Sequence, residues 1–185
     1  MTSPPSLKIE PITSPADLEA VYRLRYGQVG LQENNLEAPE SLMFRDILDT
    51  PATTILAVKA GEEIVGTMRM VPRSAGAFIW DDAYDWPLLS NRLGLEIEDT
   101  MNQTVLYDRG IVREDFRGHG LQGVLYKRGA RIAQEQGKKI IVTVASPENI
   151  STKTIFLKGF QEYARYEKGE YKIAFFFART EDMMK

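Results

Sequence analysis

Residues 112–123 read Val-Arg-Glu-Asp-Phe-Arg-Gly-His-Gly-Leu-Gln-Gly. A hydrophobic run over residues 104–112 leads in, and an amphipathic run over 121–136 leads out. That is the pattern of a strand, a glycine-rich turn and a helix start. Glycines let the backbone approach an anion closely, and the free N–H groups of a helix N-terminus point at it. The stretch therefore predicts a strand–turn–helix unit that cradles a pyrophosphate, and a chain that holds a phosphorylated carrier.

The place of this unit in the chain narrows the fold. A dinucleotide-binding turn follows the first strand and has an acidic residue about 20 residues further on. Here the turn comes late, after a long N-terminal half. A Walker loop needs Gly-Lys-Ser or Gly-Lys-Thr, and neither occurs.

Size and composition set further bounds. At 185 residues, 43% apolar and 10% aromatic, the chain has the material for one folded core. It has no cysteine, so thiol nucleophiles, disulfides and cysteine metal sites are excluded. Its single histidine rules out a two-histidine metal site, and no metal is expected. Residues 1–6 lack a charged-then-apolar leader pattern, and no run approaches membrane-span length. A cytoplasmic protein with no membrane partner is expected.

Charge is uneven along the chain. Residues 1–100 carry 8 basic and 16 acidic side chains, and residues 101–185 carry 15 and 10. The basic half holds the glycine loop, which suits a phosphorylated ligand or an acidic carrier protein. A solvated helix face is the plainer reading of the same charge. Without an aromatic-basic ladder, nucleic acid is not expected as a partner.

Residues 7–12 alternate as a first strand. Ser14 and Pro15 start a helix as N-cap and first helical residue. A short second helix is predicted over 41–48, after a break at Asn34, Asn35 and Pro39. Residues 53–58 and 64–71 form a hairpin turned at 60–63. Residues 73–103 are aromatic and acidic, with helical hints over 88–92, and read as an insertion near the substrate side. A buried strand follows at 139–145, a helix at 149–158, then strands near 161–166 and 171–179.

Arg117, Gly120 and Gln122 give the loop a form that resembles the acyl-CoA loop of the GNAT superfamily of N-acyltransferases, Arg/Gln-x-x-Gly-x-Gly/Ala. The lead-in through Val112, Phe116, Arg117 and Gly118 is similar to the family's Val-x-Pro-x-Tyr-Arg-Gly. Gln122 stands where the family has its last glycine or alanine, and Gly123 follows one place late. Asn149 with Gly159 and Phe160 resembles the second CoA motif. Residues 64–69 are similar to the Val-Val-Gly-Thr-x-Arg hairpin of acyl-homoserine-lactone and N-acyl amino acid synthases. Tyr22 to Tyr26 resembles a Leu-Arg-Tyr segment of that branch. The predicted element order matches the family across nearly the whole chain.

The resemblance implies an α/β (α+β) fold over residues 1–185. It has a central, mostly antiparallel mixed sheet flanked by helices, with strands splayed at the acyl-carrier site. It implies acetyl-CoA as the default donor, another acyl-CoA or an acyl carrier protein as alternatives, and a small amine or amino acid as acceptor. A homodimer stays open. The carrier-binding residues would be Ile111, Val112, Arg117, Gly118, His119, Gly120, Leu121, Gln122, Gly123, Asn149 and Phe156. Asp108, four residues before Val112, would be the general base; a structural ion pair with Arg109 is the other reading. The family's general acid is a tyrosine on the helix after Asn149. Counting from either end of that motif lands on Phe156 or Ile155, so the acid is unassigned: either the thiolate leaves without protein help, or Tyr107, Tyr126 or another group substitutes.

Arg25 and Arg109 would bind a substrate carboxylate, with surface salt bridges as the alternative for Arg25 and its neighbour Arg23. Trp80 and Trp86, with Tyr84, would line an acyl or acceptor pocket or pack the insertion onto the sheet. His119 is expected at phosphate or solvent rather than as a base. Lys127, Arg128 and Arg131 would suit an acidic carrier protein. A non-catalytic acyl-CoA-binding module is the competing class.

Overall fold

The computed structural model describes residues 6–29, 43, 45–78, 81–148, 150–169 and 171–184. Seven strands form one sheet, in the order β1 (Leu7–Pro11), β2 (Thr54–Ala60), β3 (Glu63–Pro72), β4 (Thr104–Val112), β5 (Ile140–Ala145), β7 (Tyr171–Arg179), β6 (Gln161–Lys168). Every neighbouring pair is antiparallel except β4 and β5, which run parallel. The expected mixed, mostly antiparallel sheet flanked by helices is what the chain forms.

Alternation along the strands decides what covers each face. Leu56, Val58, Met68, Met70, Val105, Tyr107, Ile141 and Phe176 point to one side, against the buried face of α4 (Leu121–Glu135) and Ile155 of α5 (Ile150–Leu157). Ile55, Ala57 and Ile64 on the other side meet Val21 of α1 (Pro15–Val29). Leu106, Val142, Phe175 and Phe177 on that side meet Phe78, Tyr84, Trp86 and Leu89. Ser14 caps α1 by accepting from the Asp17 N–H at 3.1 Å, with Pro15 as first helical residue.

Two segments differ from the sequence reading. No helix forms over residues 45–48; residues 47 and 48 make a turn. The Asp46 side chain accepts from the Leu48 N–H, and Asp49 accepts from the Asp46 N–H. These side chains offer the backbone an alternative to helix, and the same carboxylates are drawn into ion pairs described below. Residues 73–103 are richer in helix than expected, with α2 (Trp86–Leu93) and α3 (Ile97–Asn102). The overlooked signal was a start–stop pair. Asp85 caps α2 at the Leu88 N–H (2.9 Å), Pro87 opens it, and Gly94 ends it at φ 67°.

Candidate functional site

The centre of interest is β4, where the sheet opens. Pairing with β5 runs from Thr104↔Ile140 to Tyr107↔Thr143 and stops. β4 continues to Val112, so residues 108–112 present an edge that β5 does not cover. On the other side, β3 stays paired through a bulge. Arg69 faces Asp108 and Thr67 faces Ile111, so two steps on β3 match three on β4. The extra residue bends the strand away from its neighbour, a common device next to active sites. Arg109 sits in the bulge at φ 50°, a left-handed conformation that costs a non-glycine residue roughly 1–2 kcal/mol. Its guanidinium holds it there, donating to Asp46 Oδ2 at 3.1 and 2.9 Å.

Beyond Val112 the chain makes one 3₁₀ turn over Glu114–Phe116 and enters the glycine loop. Gly118 and Gly120 lie at φ 82° and 74°, and residues 117–120 are exposed. Gly120 is the N-cap of α4 and makes no side-chain cap. The first turn of α4 contains no acidic residue. The helix start lies beside the open strand edge, with Gln122 against Gly110, and a Cβ on Gly118 or Gly120 would meet nothing within 4 Å. An uncapped helix N-terminus with left-handed glycines before it fits a diphosphate. Arg117 folds back, its Nε donating to the Val112 carbonyl at 3.1 Å. Arg113 is held by Asp115, at 2.7 and 2.9 Å, and by Glu63. His119 is exposed in the loop.

The motif departure at Gln122 has a visible consequence. The Gln122 amide lies against Gly110, where a Cβ would stand 2.3 Å from Nε2. Gln122 also hydrogen-bonds the Tyr126 hydroxyl. Burial raises the Tyr126 pKa, and that bond opposes part of the rise. Gly123 meets another long side chain: a Cβ there would stand 2.2 Å from Lys158 Cε.

Behind the bulge lies a cluster that the sequence reading saw only in part. The Arg69 Nε and Nη2 donate to the two Asp108 oxygens at 2.8 and 2.6 Å. Its Nη1 meets Asp46 Oδ1, and Asp49 Oδ1 at 3.1 Å. Arg25 Nη1 donates to both Asp49 oxygens, at 2.9 and 3.1 Å. Arg25 and Arg69 are fully buried. Three arginines and three aspartates thus balance in charge, as buried ions must. Burial raises the Asp46 carboxyl, but Arg69, the Leu48 N–H and Arg109 overcome it and bring the pKa to about 2. Burial opposes the charge on Arg69, yet its bonds to Asp108 and Asp46 raise its pKa further. Two Arg25 nitrogens, Nε and Nη2, are buried without a partner among the described residues.

Asp108 therefore pairs with Arg69, not with its neighbour Arg109. Asp46, Asp49 and Arg69 were missed as a group. The signal available was Arg69 itself, a charge between Met68 and Met70 in a largely apolar strand. Such a residue must find carboxylates in the fold.

The remaining expected residues fall in several places. Ile111 and Val112 lie on the open stretch of β4. Leu121 opens α4 and is buried in the core. Phe156 is 49% exposed and packs edge-on to Phe176 at 5.2 Å. Trp86 is buried and stacked on Tyr84 at 5.2 Å, with Phe78 at 6.0 Å. Its contacts are those of core packing. The Tyr107 hydroxyl abuts Gly129 in mid-helix, and burial raises its pKa. Trp80 and Asn149 lie outside the described residues. Among the described residues no cluster of histidine and carboxylate side chains could hold a metal ion. No helix there is long and apolar enough to cross a membrane.

No protein-family model matches the sequence, and no curated protein matches it. Solved structures do. FeeM, an N-acyl amino acid synthase from uncultured soil microbes, superposes with a TM-score of 0.71 at 16% identity, over 97% of this chain and 93% of that one. BjaI, a CoA-dependent acyl-homoserine lactone synthase, gives 0.71 at 18% identity, over 96% and 86%. An N-acetyltransferase from Staphylococcus aureus Mu50 gives 0.62 at 16% identity, over 95% and 99%. At these identities the likeness is one of fold. The chain has the GNAT fold, and the similarity spans acetyltransferases and synthases alike.

Proposed function

We propose that residues 1–185 act as one acyl-CoA-dependent N-acyltransferase unit, which brings an acyl carrier and a free amine together at the β4 opening. The observation that carries this reading is the continuity of the uncapped α4 N-terminus with the uncovered edge of β4. The two surfaces suit the two chemistries of one ligand, a diphosphate and an extended chain of amides. CoA supplies the acyl group as a thioester, which is reactive toward amines.

The loop N–H groups of residues 118–122 hold the diphosphate, and the backbone of Ile111 and Val112 pairs with the amide arm. Fixing the two reactants side by side is the main contribution of such a site. Asp108 receives the amine proton through water, and Arg69 fixes the orientation of its carboxylate. Ile155 and Phe156 have no proton to donate, and the Tyr107 hydroxyl is turned into the core. Solvent protonates the departing thiolate. Acetyl-CoA is the default donor. The resemblance of residues 22–26 and 64–69 to the synthase branch favours a longer acyl group and an amino acid acceptor. Arg109, 23% exposed at its side chain, is then the residue that meets the acceptor carboxylate.

One observation favours a second reading, a binding module without turnover. Both Asp108 oxygens are taken by Arg69, and α5 offers no tyrosine at 155 or 156. Thiol release from acetyl-CoA and long-chain acyl-CoA, over a panel of amines and amino acids, separates the two. Release above the uncatalysed rate, lowered at least tenfold in Asp108→Asn with CoA affinity retained, supports the enzyme. Tight CoA binding with no release from any pair establishes the module.

A further inference from the structure

The glycine displaced to position 123 has a structural use: it seats Lys158. The lysine leaves the chain just after α5 and lies across the first turn of α4. A Cβ on residue 123 would stand 2.2 Å from Lys158 Cε and 2.7 Å from its Nζ. Lys158 is exposed, and the atoms in question are the end of its flexible side chain, so a larger residue at 123 would turn the lysine aside. The ammonium is thereby brought to the positive end of a 15-residue helix. A cation is disfavoured there, because the helix end already carries about half a positive charge.

Among the described residues no acidic side chain offsets this arrangement. Among the described residues no carboxylate forms an ion pair with Lys158. The first turn of α4 has no acidic side chain, and Gly120 provides no cap. Arg113, at the entry of the loop, is committed to Asp115 and Glu63. Positive groups from two distant segments therefore meet without an anion between them. The arrangement is balanced when an external anion occupies it.

We propose that Lys158 is a donor-binding residue that adds a side-chain charge to the backbone cradle and contacts the diphosphate of the acyl carrier. This rests on the acyl-CoA reading above and adds a residue to it. It also accounts for the shifted motif. With Gln122 at the usual glycine position, its amide is laid over Gly110, and the glycine at 123 opens the path for Lys158 instead.

The test is calorimetric binding of three probes: CoA, 3′-dephospho-CoA and pantetheine, which has no phosphate. A hydrogen bond from a charged group contributes about 1.5–3 kcal/mol, so Lys158→Met is expected to weaken CoA roughly tenfold or more. The same loss is expected for 3′-dephospho-CoA and none for pantetheine. Lys158→Arg should recover part of it, and Gly123→Ala, which pushes the lysine aside, should reproduce it. The difference between parent and Lys158→Met should shrink at high salt. Unchanged CoA affinity in Lys158→Met, or an equal loss for pantetheine, overturns the proposal. A loss for CoA but not for 3′-dephospho-CoA overturns it too, since the contact would be with the 3′-phosphate. Gly120→Asp serves as the control for the cradle itself. If it loses CoA while Lys158→Met does not, only the lysine assignment fails; if it keeps CoA, the cradle reading fails with it.

Discussion

The two sides of β4 carry opposite kinds of site. The cradle is local, exposed and made of backbone: residues 117–120 face solvent, and the helix that follows starts without a cap. The ion cluster is long-range, buried and made of side chains: it joins residues 24, 39 and 63 positions apart. Every carboxylate in the cluster has an arginine, whereas the first turn of the cradle's helix carries no acidic side chain. The contrast separates two jobs. Charges matched within the chain hold β4 and its bulge in place. In the proposed reaction the cradle leaves its positive end to a ligand, while Asp108 and Arg109 face the acceptor from within the matched cluster.

Arg69→Met should break the first half of this contrast most severely. It leaves Asp46, Asp49 and Asp108 around an apolar side chain, and removing one partner from a buried network costs about 3–5 kcal/mol. Urea unfolding should report that loss. A change below about 1 kcal/mol would mean that the cluster does not support the fold.

Gly120→Asp should break the other half. Open space surrounds the position, so the fold should survive, with some strain from a left-handed backbone at φ 74°. The added carboxylate meets the bound phosphate, and CoA affinity should fall about 100-fold, or roughly 2.7 kcal/mol. Circular dichroism and calorimetry on the same sample would show affinity lost with structure kept.

Acid should act on the cluster and spare the cradle. The Asp46 carboxyl is held at about 2, below its ordinary value of 3.8. A lowered folded-state pKa stabilises fully above the unfolded value and loses that contribution as pH falls through the folded one. Stability should therefore drop by about 2 kcal/mol between roughly pH 5 and pH 2 on this account. Asp46→Asn should flatten that part of the curve. An unaltered acid limb in the variant would place the titration elsewhere.

The smallest effect probes where the two sites touch. Gly110→Ala puts a methyl group on the Gln122 amide and should cost roughly 1 kcal/mol by overpacking. Adding Gln122→Ala should restore most of it. Additive losses in the double variant would show that the two residues do not press on each other.

The cradle was legible because all of its parts are adjacent in sequence. Glycines 118 and 120, the apolar run before them and the amphipathic run after them state a local geometry that needs no other segment. The same holds for Ser14 and Pro15 at α1 and for the hairpin of β2 and β3. Residues 45–48 were misread because helical pattern competes there with Asp46 and Asp49, whose side chains turn back on the backbone and outward to distant arginines. Asp108 was singled out by its spacing from Val112, but its partner Arg69 was not, since adjacency suggested Arg109 and the bulge turned that residue toward Asp46.

By itself the sequence determined the strand–turn–helix unit, the order of the strands along the chain and the absence of thiol chemistry, because these depend on local backbone preference and on residue type. Tertiary structure alone decided that β4 parts from β5 after Tyr107, that Arg69 rather than Arg109 holds Asp108, and that Lys158 crosses Gly123. Those facts depend on register, on a single extra residue in a strand, and on which distant side chains packing brings within bonding distance.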